Sequence, residues 1–365
     1  MCGGCTFQQL DYAAQLTYKQ EKLKALFSHP IKPIIPCDPP FYHRNKMEYS
    51  FSQDKAGQKF LGLHMPAARG RVINIETCYL TSPWFGQTLN SVRKWWEGTD
   101  IKAFHPPSGT GTLRTLTLRE GKRTGHKMAI LTISSKAREC LTKEQLNSFK
   151  ALFKEDVSLF LVLHQATKGH ATQMFEMHLQ GADHICEELH IHDRVLKCKI
   201  SPLSFFQPNT FQAEKLYQEA LIDADGHVLD LYAGSATLGM LFAKKAARVT
   251  SVELSPYSIL DAEDNLILNE IDNIDLIRGD VAELLHTLPQ SELVIVDPPR
   301  SGLGVTTCSH LTTLAPKKII YISCNPSTQA DDLKHLKDYK LTSLQPVDQF
   351  PHTPHLENIA LLEHL

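Results

Sequence analysis

From about residue 211 to residue 323 the chain alternates short apolar runs with helical stretches, and few folds accept that rhythm. The runs at 227–232, 248–253, 275–278, 293–296 and 318–323 are rich in Val, Ile and Leu, and they are too short for helices. Helical patterns fill the gaps at 211–222, 238–246, 256–269 and 306–314. This alternation predicts a doubly wound parallel sheet with helices on both faces. In such a sheet, ligands sit beyond the C-terminal ends of the strands. The chemistry-bearing residues fall there. Asp230-Leu231-Tyr232-Ala233-Gly234 ends the first strand, Glu253 the second, Asp297-Pro298-Pro299-Arg300 the fourth and Ser323-Cys324-Asn325-Pro326 the fifth.

The first two strand ends read as a nucleoside site. Gly234 permits a tight turn, and a carboxylate about 20 residues further on, here Glu253, can take both hydroxyls of a ribose. Asp280, after the third strand, is placed to meet an adenine edge. A dinucleotide would need a G-x-G-x-x-G cradle for its pyrophosphate, and Gly234-Ser235-Ala236-Thr237-Leu238-Gly239 lacks one. S-adenosylmethionine, which has no pyrophosphate, fits better.

The later strand ends read as covalent catalysis. A lone cysteine is most often a buried core residue, but a core cysteine rarely ends a strand before a turn such as Ser-Cys-Asn-Pro. Downstream, Phe350-Pro351-His352-Thr353-Pro354-His355-Leu356-Glu357 delivers a carboxylate after a proline-rich turn. The Asp-Pro-Pro pattern suits a planar substrate stacked beside a methyl donor. Methylating an amino group needs no thiol, whereas C5 of a pyrimidine is a poor nucleophile until a thiolate adds at C6. Cys324 is the candidate nucleophile, and Glu357 the candidate base that removes the C5 proton.

The remaining text bounds the setting. With 365 residues the chain is long enough for about two domains. Its net charge of −2 leaves any polyanion to local basic patches, of which Arg69/Arg71, Arg119/Lys122/Arg123/Lys127 and Lys19/Lys22/Lys24 are candidates. A solvated mixed-charge face is the blander reading of each. No apolar stretch approaches the ~20 residues of a membrane span. Nine cysteines, mostly single, and no secretory leader pattern suit a reducing, cytoplasmic home.

Five ordered blocks carry a resemblance. They are Ser204-Phe205-Phe206-Gln207-Pro208-Asn209, Asp230-Leu231-Tyr232-Ala233-Gly234, Val296-Asp297-Pro298-Pro299-Arg300, Ser323-Cys324-Asn325-Pro326, and Phe350-Pro351-His352-Thr353 with His355-Leu356-Glu357. Over about 150 residues the C-terminal half resembles the RNA uracil-5-methyltransferases, which form 5-methyluridine in tRNA or 23S rRNA from S-adenosylmethionine. The resemblance implies that Gln207, Tyr232, Gly234, Thr237, Glu253 and Asp280 contact the cofactor. It places Asp297 between cofactor and target, and makes Cys324 the nucleophile and Glu357 the base. One departure is Ala236, where the family usually has a glycine; this narrows the backbone approach beside Thr237. The family also implies a four-cysteine iron–sulfur (4Fe–4S) cluster, with Cys2 and Cys5 as middle ligands and Cys78 as the last. The first ligand would precede Cys2 by about six residues. An upstream start, substitution by Cys37 or a non-protein ligand, and loss of the cluster are the open alternatives.

The resulting division is a Cys-containing segment and helix at 1–40, packed on the catalytic domain; a central α+β, mostly antiparallel, RNA-binding domain at 41–201; and the methyltransferase domain at 202–365. The partner is RNA, either rRNA or tRNA, with no membrane and a monomer as the default state. Two alternatives stay open. One is a catalytically idle RNA-binding or folding factor. The other is an RNA 5-methylcytidine methyltransferase, although that class places a Pro-Cys where this chain has Pro298-Pro299-Arg300.

Overall fold

The computed structural model describes residues 2–66, 70–135, 141–166, 169 and 172–365. Two compact units emerge, one of Met1–Thr6 with Phe41–Glu187 and one of Phe7–Pro40 with Glu188–Leu365. This differs from the division read in the sequence. The first 40 residues split after Thr6, and the later boundary falls at 187/188 and not at 201/202.

Helix α1 (Tyr12–Leu26) belongs to the C-terminal unit. It starts later than residue 7 because Asp11 is its N-cap, accepting the Ala14 N–H at 2.7 Å.

The N-terminal unit is built from β1 (Lys46–Gln53), β2 (Lys59–His64), β3 (Val72–Asn74), α2 (Pro83–Glu97), β4 (Leu113–Glu120), β5 (Lys127–Ser134), α3 (Lys143–Lys150), β6 (Ser158–Gln165) and β7 (Gln173–Gln180). Among the described residues these strands form one sheet in the order β3-β2-β1-β4-β5-β6-β7. Its pairs are antiparallel except β5–β6, a parallel pair whose crossover contains α3. Helix α2, not anticipated from the sequence, buries Phe85, Leu89, Val92 and Trp96 at helical spacing in the same core as Tyr49, Leu116 and Leu131.

Strand β8 (Ile185–Ile191) starts at the end of that unit and forms a hairpin with β9 (Arg194–Ile200). The C-terminal unit continues with α4 (Thr210–Ala220), β10 (His227–Leu231), α5 (Thr237–Ala243), β11 (Arg248–Glu253), α6 (Pro256–Leu268), β12 (Ile274–Arg278), α7 (Val281–Leu284) and β13 (Leu293–Val296). It ends with α8 (Gly304–Leu314), β14 (Lys318–Ser323), α9 (Pro326–Leu333), β15 (Tyr339–Val347) and β16 (Glu357–His364). The strand order is β12-β11-β10-β13-β14-β16-β15. Strands β10 to β14 are parallel, and β16 runs antiparallel to both neighbours. The doubly wound sheet read from the alternation is present. Leu229, Leu231, Val252, Val294, Val296, Ile319 and Tyr321 are all fully buried in its core. A sheet covered on both faces requires such unbroken apolar runs, and each aliphatic side chain contributes about 1.5–3 kcal/mol by leaving water.

Side chains of α6 explain why residues 188–201 join this unit. Asp261, Asn265 and Asn269 accept the backbone N–H groups of Ser201, Lys199 and Lys197 at 2.8, 2.6 and 2.9 Å. The outer edge of β9 is thereby hydrogen-bonded to a helix.

Two of the basic patches read from the sequence each lose a member to the interior, while Lys22, Lys24 and Arg123 stay exposed. Lys19 is fully buried, and Lys24 pairs with Glu21. Arg119 is 4% exposed, and Lys122 pairs with Glu120. Arg69 lies outside the described residues. Among those described, no helix is long and apolar enough to cross a membrane.

Candidate active site

A cavity of about 720 Å³ opens in the C-terminal unit at the strand ends. Strand order reverses between β10 and β13, so their outgoing loops part there and leave a crevice. Gln207, Tyr232, Gly234, Thr237, Glu253, Asp280, Asp297, Cys324 and Glu357 all line it. Gln207 precedes α4, Tyr232 and Gly234 form the turn after β10, and Thr237 opens α5. Glu253 ends β11 and Asp280 caps α7. Asp297, Cys324 and Glu357 come from the ends of β13 and β14 and the start of β16.

The turn after β10 is held in an unusual backbone state. Tyr232, Gly234 and Ala236 have φ of 61°, 57° and 59°. At Gly234 a Cβ would meet no atom within 4 Å, so the turn leaves open space beside its backbone. Ala236, standing where a glycine was expected, keeps the left-handed conformation that glycine favours, at a cost of about 1–2 kcal/mol. Glu253 stabilises the turn, since its Oε2 accepts the Gly234 N–H at 2.9 Å and its Oε1 the Ser255 N–H at 2.7 Å. Each oxygen keeps a second lone pair. Asp280 accepts the Ala282 N–H at 2.8 Å. Asp230 has a supporting role that the sequence did not reveal. Its Oδ2 accepts the Gly239 N–H at 2.9 Å and the Ser251 hydroxyl at 3.2 Å. A Cβ at Gly239 would lie 2.8 Å from that oxygen, so only glycine fits.

At the other end, three acidic groups share a poorly solvated space. Burial, then the charge of Asp230, pushes Asp297 up to about 7. Burial, then Asp297, raises Glu357 well above the usual carboxylate range, with Arg300 opposing. The Cys324 thiol is pushed up to about 11 by burial, then by Glu357 and Asp297, again with Arg300 opposing. Arg300 therefore acts on both groups, a role its place in the Asp-Pro-Pro-Arg block did not disclose. Asn325 Nδ2 donates to the Arg300 carbonyl at 3.0 Å, tying that loop to the turn that carries Cys324. The turn itself is bent by Ser323, whose Oγ accepts the Asn325 N–H at 3.1 Å. Phe205, Phe350 and Tyr217 add aromatic lining.

The proposed cluster ligands lie in the N-terminal unit. Burial, then Cys2 and Cys78, pushes the Cys5 thiol up to about 11, so the three thiols lie within electrostatic reach of one another. Among the described residues, however, no group of three or more His, Cys, Asp or Glu side chains is placed to hold a metal ion. Cys37 is buried in the C-terminal unit, where its Sγ donates to the Pro39 carbonyl at 3.4 Å. This donor set does not fit a four-cysteine cluster.

Comparisons with known proteins point to one family. The profile of the tRNA (uracil-5-)-methyltransferase family matches residues 171–292 and 285–365. An uncharacterized RNA methyltransferase of Protochlamydia amoebophila is 44% identical over 392 aligned residues, covering 99% of this chain and 88% of the relative. Another, from Chlamydia trachomatis, is 36% identical and covers 100% of this chain and 97% of its own length. Among solved structures, the tRNA (uracil-54, C5)-methyltransferase of Pyrococcus abyssi, in complex with S-adenosyl-L-homocysteine, matches with a TM-score of 0.81. It is 28% identical, over 99% of this chain and 85% of that one.

Proposed function

The chain belongs to the tRNA (uracil-5-)-methyltransferase family, and from that premise we propose that it methylates C5 of a uridine in structured RNA, rRNA or tRNA, through covalent catalysis by Cys324. The observation that carries this reading is the meeting of Cys324, Asp297 and Glu357 in one cavity with Gln207, Tyr232 and Glu253.

S-adenosylmethionine suits the far end of that cavity. Glu253 has lone pairs left for two ribose hydroxyls, and the open space at Gly234 admits a ligand close to the backbone. Gln207, Tyr232, Gly234, Thr237, Glu253 and Asp280 are the residues that would hold it. When bound, it supplies a methyl group on a sulfonium sulfur, an electrophile for an activated C5.

The chain supplies the rest. The target uridine has to leave its stack to reach a half-buried thiol inside the cavity. Cys324 Sγ, once deprotonated, bonds to C6 and makes C5 nucleophilic. After C5 becomes tetrahedral, Glu357 takes its proton, the C6–S bond breaks, and the 5,6 double bond re-forms with release of the thiolate. Arg300 favours the ionised forms that both groups need, and Asp297, which the resemblance sets between cofactor and target, lines the same cavity. Eight cysteines among the described residues are free thiols, which supports a reducing, cytoplasmic setting, with a monomer as the working state.

RNA containing 5-fluorouridine tests the proposal, because fluorine cannot leave C5 as a proton does. With cofactor, the wild-type protein is expected to be trapped as a denaturation-resistant adduct, and Cys324→Ala is not. An adduct absent from wild type, or persisting in Cys324→Ala, would overturn the reading and favour an idle RNA-binding factor.

A further inference from the structure

The turn that carries Phe350 and Glu357 into the cavity is anchored by the opposite end of the chain. Lys19 on α1 and Asp348, just past β15, are both 0% exposed, with Nζ 2.6 Å from Oδ1. The same ammonium donates to the Phe350 carbonyl at 3.0 Å. Tyr12 donates its hydroxyl to the other Asp348 oxygen at 2.8 Å. One turn along α1, Gln15 Oε1 accepts the His352 N–H at 2.8 Å, and His352 holds a left-handed φ of 65°. From the other side, Gln349 Nε2 donates to Gln207 Oε1 at 3.3 Å and Gln212 Nε2 to the Asp348 carbonyl at 3.1 Å.

This arrangement is not the one that stability alone selects. Two ions buried together lose so much hydration that an apolar pair of similar volume would hold α1 as well or better. Neighbouring Leu23 already packs in the core. What an apolar pair cannot do is bond directionally to a carboxylate and a backbone carbonyl two residues apart. Lys19 bonds to both. It thereby fixes the path of the backbone where the chain turns from β15 towards Glu357.

We propose that Lys19 is a positioning residue for the second half of the reaction: clamped between Asp348 and the Phe350 carbonyl, it sets the turn that presents Glu357 to the C5 proton. The proposal rests on the covalent reading above. It separates two steps. Addition of Cys324 depends on β14 and its turn, to which Lys19 makes no hydrogen bond among the described residues, whereas elimination depends on the turn that it holds through Asp348 and Phe350.

The test is the charge-neutral double variant Lys19→Met/Asp348→Asn, compared with wild type. It is expected to unfold cooperatively and to form the 5-fluorouridine adduct at a rate within about threefold of wild type. On ordinary uridine RNA its kcat is expected to fall tenfold or more, with covalent RNA–protein complex accumulating on denaturing gels. A folded variant with wild-type kcat overturns the proposal, as does an equal loss of adduct formation and turnover. If the double variant does not fold, Tyr12→Phe, which removes one bond to Asp348 and the acceptor of the Cys37 N–H but keeps the ion pair, is expected to show the same accumulation with a kcat a few-fold lower. Wild-type kinetics there would equally overturn it. Failure of wild type to form any adduct would instead sink the covalent reading, so the two failures are distinct.

Discussion

Arg300 Nη2 lies 2.9 Å from His355 Nδ1, joining the loop after β13 to the turn that ends in Glu357. Burial, then Arg300, Lys22 and Lys19, holds His355 below the usual imidazole range, so near neutrality its Nδ1 is free to accept from the guanidinium. The pair fixes a positive charge beside two acids that burial pushes towards their neutral forms.

Removing that charge has a signed consequence. In Arg300→Met the Cys324 thiol rises further, because the cation that opposes its upward shift has gone and only a backbone hydrogen bond still lowers it. The rate of 5-fluorouridine adduct formation is expected to fall about 10- to 100-fold near neutrality, and its pH profile to move to higher pH. An unshifted profile would show that Arg300 does not govern the thiol.

The empty cavity and the occupied one are expected to differ in thiol reactivity. With its thiol pushed up to about 11, Cys324 in the free protein should react slowly with iodoacetamide near neutrality, the rate rising roughly tenfold per pH unit below that value. A cationic ligand lowers the thiol's pKa and a neutral one does not. S-adenosylmethionine is therefore expected to speed alkylation of the Cys324 peptide, read by mass spectrometry, relative to S-adenosylhomocysteine at equal occupancy. Equal rates would mean that the ligand's charge is not felt at Cys324.

Asp297 gives a stability signature. Its folded-state pKa of about 7 lies above the ordinary aspartate value of about 3.9, so the folded state binds this proton more tightly. The associated stability is fully present below about pH 4 and is lost as pH rises through about 7. Asp297→Asn has no such loss. Its stability relative to wild type is expected to grow between those limits, by on the order of a few kcal/mol, in urea unfolding at several pH values. A pH-independent difference would contradict the burial of that carboxyl. Glu357→Gln should follow the same direction and, on uridine RNA, accumulate covalent complex.

Glu253 serves the turn before any ligand arrives. Glu253→Ala frees the Gly234 and Ser255 N–H groups and removes the proposed ribose acceptor together. Affinity for S-adenosylmethionine by calorimetry is expected to drop at least tenfold, matching one or two charged hydrogen bonds of about 1.5–3 kcal/mol each. Unchanged affinity would place the ribose elsewhere.

Legibility in the sequence followed the range of the interactions concerned. The runs at Leu293–Val296 and Lys318–Ser323 announce buried parallel strands because both faces are covered, a local consequence of composition. The residues at their C-terminal ends then fall around one crevice by topology, which is why Cys324, Asp297 and Glu253 could be named together. Lys19 was read with Lys22 and Lys24 as surface charge, because nothing near it in sequence reveals Asp348 as its partner. Arg119 failed in the same way: on β4 it sits opposite Lys46 across the strand pair and is buried. Asp348-Gln349, directly before Phe350, was the one nearby signal of a polar anchor, and it gains meaning only once α1 is placed against it.

The three side chains that α6 offers to β9 act as a vernier. Acceptors four residues apart on a helix step by about 6.0 Å, whereas alternate N–H groups on a strand step by about 6.6–6.8 Å. Asp261, Asn265 and Asn269 stay within bonding range of Ser201, Lys199 and Lys197 because two steps accumulate only a small mismatch. The match cannot be extended indefinitely, so the scale sets its own length. It also closes an outlet: with these N–H groups taken, that edge of the hairpin offers no template for a strand from another molecule.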